Sequence, residues 1–252
     1  MKKNTALAKM RAGKPALGAS AGLGSPLAAE MLSLMGYDFV LVDNQHGVWD
    51  DDTTMQAFHM ICLGEAVPMA RVRGNDFTAI GRLLDRGAMG IVVPLVNSRA
   101  DAETAAYAMR YPPRGGRSKG PLGASFLGRD YLDRANEEVF LAVQIESITA
   151  VEHAEEILSV DGVDGCWIGP SDLAATMGLS LSTQKERDEH LAAIMRVLEA
   201  CKKTGKIPGI AGGLNGRPWI ERGFLFVTCA GDSAYIAREG PKTLEELAEF
   251  RS

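Results

Sequence analysis

Cysteine and histidine are scarce in this chain, four of each in 252 residues. Cys62, Cys166, Cys201 and Cys229 stand far apart and form no CxxC pair, which excludes a zinc ribbon and supplies no disulfide framework. Two of them fall in apolar strand-like runs, the usual place of free thiols in a reducing cytoplasm. No apolar run approaches the ~20 residues that cross a bilayer, and the N-terminus carries no signal-peptide core. The expectation is a cytoplasmic protein with no membrane partner. Positive charge is short as well. With 27 Lys and Arg against 32 Asp and Glu the net charge is −5, and no sustained basic face offers itself to nucleic acid. Lysine is missing where a Schiff base would need it: Lys206 precedes its strand, Lys119 sits in a long loop, and no strand ends on one.

What is present is ordinary for a globular protein, 46% hydrophobic and 23% charged. The length suits one domain, 1–252, since an α/β barrel takes roughly 250 residues. Strand-like runs occur at Ala16–Ser20, Tyr37–Val42, Val67–Val72, Gly90–Pro94, Phe140–Ile145, Val163–Ile168, Ile207–Ala211 and Phe224–Cys229. Between and around them, helical spacing covers Thr5–Ala12, Pro26–Leu34, Asp52–Leu63, Phe77–Asp85, Arg99–Arg110, Ala150–Leu158, Gln184–Lys203, Asp232–Glu239 and Thr243–Phe250. Eight such alternations predict a (β/α)8 TIM barrel. Gly22-Leu23-Gly24 does not match a dinucleotide fingerprint and reads as a loop at the barrel mouth. Tyr111 to about Leu127 is a long irregular stretch rich in Gly, Pro and cations. Two readings stand for it: a basic loop over the mouth suited to an anionic substrate, or a solvated linker.

In a barrel, chemistry gathers where strands end. Those positions here hold Asp43, Asn44, Gln45 and His46, then Arg71 and Arg73, then Gln144 and Glu146, then Ser171 and Asp172. Parallel strands joined by a crossover helix bring Glu146 and Asp172 together across 26 positions. Two hard oxygen ligands without Cys or His suit Mg²⁺ or Mn²⁺; the alternative is a Glu packed on its barrel neighbour and an Asp capping a helix. His46 follows a strand end three residues after Asp43, where an Asp could orient the imidazole for proton transfer. A histidine capping the turn explains the position equally well. His59, His153 and His190 fall within helical patterns.

The segments GYDFVLVDNQHG, RGAMGIVVPLVNSRADAETAAYAMRYPPRGGRSKG and VQIESITAVEHAEEILSVDGVDGCWIGPSDLAATMG closely resemble the HpcH/HpaI aldolase family, the metal-dependent (class II) pyruvate aldolases. The likeness runs from near Gly18 to about Ala237. It implies a barrel whose additional C-terminal helix is exchanged between subunits, in a homo-hexamer built as a trimer of dimers. It implies a divalent ion (Mg²⁺ or Mn²⁺, with Co²⁺ a third candidate) on Glu146 and Asp172, and no organic cofactor. It further implies a carbonyl-contacting Arg71, an Asp43–His46 pair, and a substrate carboxylate on backbone N–H groups around Gly169, Pro170, Ser171 and Asp172. Gln144 would line the site, and Asp85 matches an acid that reaches a neighbouring subunit's site. Two departures bear on specificity. Gln45 stands where many members have Glu, and Ala19 with Ala211-Gly212-Gly213 replaces bulkier residues, which should enlarge the aldehyde pocket.

The activity so implied is reversible cleavage of a 4-hydroxy-2-oxo acid to pyruvate and an aldehyde, with the 2-oxo acid and the aldehyde as small-molecule partners. The alternatives are decarboxylation of an oxaloacetate-like acid, another carbon–carbon or carbon–phosphorus cleavage on the same site, and a non-catalytic 2-oxo acid binder.

Overall fold

The computed structural model describes residues 1–251, and in it eight parallel strands close on themselves in chain order. Helix α1 (Thr5–Arg11) precedes β1 (Ala16–Ala21). Then come α2 (Pro26–Leu34), β2 (Phe39–Asp43), α3 (Asp51–Ile61), β3 (Val67–Arg71), α4 (Phe77–Asp85), β4 (Gly90–Val93) and α5 (Arg99–Met109). A 3₁₀ turn at Gly123–Leu127 and α6 (Tyr131–Glu138) lead into β5 (Phe140–Ile145), α7 (Ile148–Glu152), α8 (Ala154–Leu158), β6 (Gly165–Ile168) and α9 (Pro170–Thr176). The chain closes with α10 (Gln184–Thr204), β7 (Gly209–Ala211), α11 (Arg217–Glu221), β8 (Phe226–Gly231) and α12 (Asp232–Glu246). The (β/α)8 expectation is met, with β1 paired to β8 completing the ring.

Successive side chains on a strand point to opposite faces, and here the two faces build two cores. Val40, Val42, Ala70, Leu141, Val143 and Ile145 pack outward with the helices. Phe39, Leu41, Val67, Met69, Phe140, Ala142 and Trp167 fill the barrel. The lower interior is plugged by rings: Phe226 stacks on Phe39 at 4.6 Å and meets Phe140 edge-on at 5.0 Å. Such pairs contribute about 0.5–1.5 kcal/mol each beyond their buried area. Gly18 makes room for the plug, because a Cβ there would lie 2.1 Å from the Phe39 ring.

The face assignment corrects one expectation. Ala19 packs in the outer core with Val40, so it is no pocket residue; the inward positions of β1 belong to Gly18 and Ser20. Ala211 does pack against the inner cluster.

The long stretch after α5 is also not where a mouth loop would be. Helices descend from strand ends to strand beginnings, so residues following α5 arrive at the base. There Tyr111, Ala124, Leu127 and Tyr131 bury against Ala6, Leu7, Met10 and Phe140, and the Lys2 N–H bonds the Leu127 carbonyl. Leu127 and Tyr131 carry apolar weight that composition alone hid under the surrounding Gly, Pro and cations.

Boundaries differ elsewhere. The helix expected over Ala150–Leu158 is two short ones broken at His153, and its cap is Ser147, whose Oγ accepts the Ala150 N–H at 3.0 Å. The break expected between the two C-terminal helices is absent: α12 runs through Pro241 to Glu246, and a 3₁₀ turn at Ala248–Phe250 follows.

Candidate active site

The inward columns that fill the barrel end, at its upper rim, in the polar residues singled out above. On β2 the column runs Phe39, Leu41, Asp43; on β3 it runs Val67, Met69, Arg71; on β5 it runs Phe140, Ala142, Gln144 and on to Glu146. Period-2 geometry therefore delivers these side chains to one mouth without any bend in the strands. Register then sets neighbours: Asp43 lies opposite Arg71, and Gln144 opposite Trp167.

Asp43 is buried and faces a guanidinium. Arg71 Nε donates to Oδ1 at 2.9 Å, and Nη2 donates to Oδ2. The Asp43 Oδ1 also accepts the backbone N–H groups of Gln45 and His46, at 3.1 and 3.2 Å. Burial pushes the Asp43 carboxyl up, but the Arg71 hydrogen bonds and charge together with the two N–H groups hold it below the usual carboxylate range. The imidazole of His46 is exposed and makes no hydrogen bond among the described residues. The expected orientation of that ring by Asp43 is thus replaced by backbone anchoring. A planar fork that offers two parallel, charge-assisted bonds outcompetes a single imidazole N–H. Arg71 also lies 5.3 Å from the centre of the Trp167 ring, so its position is fixed from two sides.

Glu146 is 3% exposed. Its Oε1 accepts the Leu95 N–H at 2.8 Å, and its Oε2 accepts from Gln144 Nε2. Gly169 packs directly against it; a Cβ on Gly169 would stand 3.0 Å from both Glu146 Oε2 and Gln144 Nε2. Burial raises the Glu146 carboxyl above its ordinary value and the nearby charge of Asp172 raises it further, while the Leu95 N–H and Arg71 pull the other way. Asp172 itself is exposed in the first turn of α9. The Gly169 N–H is taken by the Ile145 carbonyl, the Pro170 carbonyl meets a His190 ring nitrogen at 2.9 Å, and proline has no N–H. The N–H groups of Ser171 and Asp172 belong to the first turn of α9, where backbone donors have no helical partner.

These residues fit a hard divalent cation. A carboxyl raised chiefly by burial, with the charge of a second carboxylate nearby, would gain from a cation, and the Gln144 Oε1 beside it is buried without a hydrogen-bond partner. Among the described residues no cluster of three or more His, Cys, Asp or Glu side chains could hold a metal. Glu146 and Asp172 would supply two carboxylates and leave the remaining positions open to water and substrate, which is how Mg²⁺-type ions are commonly held.

Asp85 stands apart. It ends α4 at the base of the barrel, and its carboxylate accepts from Arg117 at 2.7 Å, whose guanidinium also lies against the rings of Tyr111 and Tyr131. Within one chain it is not part of the mouth. Two mouth residues were not legible beforehand. Trp167 follows Gly165 by two on the inward face of β6, and that period was the available signal. Leu95 acts through its backbone, and nothing in a leucine announces that.

Comparison with known proteins places the chain in context. The family model HpcH/HpaI aldolase/citrate lyase matches residues 21–223. A hydroxypyruvate/pyruvate aldolase of Rhizorhabdus wittichii is 42% identical over 228 residues, 89% of this chain and 91% of that protein. A 4-hydroxy-2-oxo-heptane-1,7-dioate aldolase of Escherichia coli is 36% identical over 241 residues, 93% of this chain and 91% of that one. Among solved structures, an aldolase/citrate lyase family protein of Burkholderia cenocepacia superposes with a TM-score of 0.89 at 31% identity, covering 98% of this chain and 100% of the other.

Proposed function

The chain belongs to the HpcH/HpaI aldolase/citrate lyase family, and from that membership we propose that it is a divalent-metal-dependent pyruvate aldolase. It reversibly cleaves 4-hydroxy-2-oxo acids into pyruvate and an aldehyde. The observation that carries this reading is the meeting, at one barrel mouth, of two carboxylates and a guanidinium held rigid by Asp43. Glu146 and Asp172 would hold the ion, Mg²⁺ or Mn²⁺ with Co²⁺ a third candidate, which when bound supplies a Lewis acid for the 2-oxo group. No organic cofactor is required.

The protein's own groups divide the remaining work. Arg71 directs its N–H groups toward the keto oxygen, where negative charge grows as the C3–C4 bond breaks. Asp43 prepares that donor before substrate arrives. The Ser171 and Asp172 N–H groups receive the substrate carboxylate, and Gln144 lines its other side. His46 takes the proton of the 4-hydroxyl during cleavage and returns it during condensation. The R. wittichii relative is named for hydroxypyruvate as well as pyruvate, and both donors carry the same carboxylate and keto group for this site to hold.

The working form is a homo-hexamer, a trimer of dimers in which α12 crosses to a second copy. Along α12 only Asp232 is buried, and Ile236 on it and Phe250 in the 3₁₀ turn that follows are 65% and 76% exposed, which supports a partner covering this C-terminal segment; Asp85 would then act in a neighbour's site. No helix among the described residues is long and apolar enough to cross a membrane. Cys166 and Cys201 lie side by side as free thiols with sulfurs 3.4 Å apart, in keeping with a cytoplasmic setting.

Exchange of pyruvate's methyl protons in D₂O, followed by NMR with Mn²⁺ and then with EDTA, tests the reading. Metal-dependent exchange is expected. No exchange in protein shown by calorimetry to bind the ion would overturn it.

A further inference from the structure

Leu95, two residues beyond β4, adopts φ +57°, a left-handed conformation that leucine seldom takes. Its side chain is 60% exposed, so burial does not compensate. What the conformation accomplishes lies in the backbone. The Leu95 N–H reaches Glu146 Oε1 at 2.8 Å, and the Leu95 carbonyl accepts from Asn97 Nδ2 at 3.0 Å. The other end of the same amide, Asn97 Oδ1, accepts from Ser147 Oγ, the residue that follows Glu146 in the chain. The Asn97 N–H donates to Asp101 Oδ2 at 3.0 Å, anchoring the turn to α5. One side-chain amide thus ties the end of β4 to the end of β5 on either side of the Glu146 carboxylate.

We propose that Asn97, acting through the left-handed turn at Leu95, is a positioning residue that sets the Glu146 carboxylate for its cation before the cation arrives. The inference rests on the reading of Glu146 and Asp172 as the ligands. With Leu95 N–H on Oε1, Gln144 on Oε2 and Gly169 against the carboxylate, Glu146 has little rotational freedom left. Outer hydrogen bonds of this kind orient a ligand and commonly matter 10- to 100-fold in metal affinity. Asn97 is not the cap of α5, a part taken by Ser98, whose Oγ accepts the Asp101 N–H at 3.2 Å. The side chain of Asn97 is free for the bracket.

The test is calorimetric titration of Mn²⁺ alone into the metal-stripped full chain. Asn97→Ala should weaken binding by about 10- to 100-fold. Adding Leu95→Gly to that variant should recover at least threefold, because glycine takes the left-handed turn without the cost leucine bears. If Asn97→Ala does not fold, Asn97→Asp, which keeps the acceptor for Ser147 and loses the donor to Leu95, should show the same loss. Unchanged affinity in the folded Asn97 variant overturns the proposal. A double variant that recovers less than threefold also overturns it, since general loosening of the loop would give that result. Glu146→Gln separates the premise: loss of Mn²⁺ binding there upholds the ligand assignment, and retained binding overturns both.

Discussion

The Asp43 carboxylate meets Arg71 through two hydrogen bonds, one at 2.9 Å, and meets His46 only through a backbone N–H at 3.2 Å. The acid therefore serves the guanidinium, and the two residues of the expected Asp–His pair have separable roles.

That separation predicts opposite signatures for two substitutions. His46→Ala removes an exposed ring without hydrogen bonds among the described residues, so the melting temperature should hold while kcat falls by about 10²–10⁴, the usual worth of a general base. Asp43→Asn leaves a buried guanidinium short of its counter-charge and should cost about 3 kcal/mol of stability, read by urea denaturation. Arg71→Ala should lower kcat by about 10²–10³. An Asp43→Asn protein as stable as wild type would show that the pair is not structural.

The Asp43–Arg71 pair also fixes a pH dependence. A carboxyl lowered by folding contributes stability that is present above its unfolded value near 4 and is lost as pH falls through the folded value. Between pH 5 and pH 3 the wild-type protein should lose more stability than Asp43→Asn does, measured by denaturation across that range.

Glu146 has the reverse sign. Its carboxyl is raised by burial and by Asp172, so in the metal-free protein its ionised form opposes folding at neutral pH, and protonation as pH falls through the raised value relieves that. Glu146→Gln should accordingly raise the melting temperature of the metal-stripped chain. Mn²⁺ needs the ionised form, so wild-type affinity should weaken as pH drops through the same range. Calorimetry from pH 7.5 down through the carboxylate range checks this, and an affinity flat throughout would exclude Glu146 as the titrating ligand.

Gly169 offers a steric test. Its backbone angles suit alanine, yet a Cβ would press within 3.0 Å of Glu146 Oε2. Gly169→Ala should fold and weaken Mn²⁺ binding by about tenfold. Wild-type affinity in the variant would mean that the carboxylate has room to turn.

The exposed apolar residues of α12 and of the 3₁₀ turn after it predict an assembly. Replacing Ile236 and Phe250 together by Asp should lower the particle mass in light scattering by dissolving the interface that covers them. A mass identical to wild type would place the subunit contact elsewhere.

By itself the sequence determined the barrel and the rim. Alternation of apolar strand runs with helices is a local pattern, and in a parallel barrel every strand end lies on one face, so Asp43, Arg71, Gln144, Glu146 and Asp172 could be read as one set from spacing alone. The tertiary structure decided what depends on which face, which partner and which backbone angle. It turned Ala19 outward because one residue of register exchanges the two faces of a strand. It sent the basic stretch after α5 to the base because Leu127 and Tyr131 had a core to enter. It gave Asp43 to Arg71 because a guanidinium fork satisfies two oxygens at once. And it placed Leu95 in a left-handed turn beneath Glu146, a position set by hydrogen bonds from other strands that no pattern within the segment records.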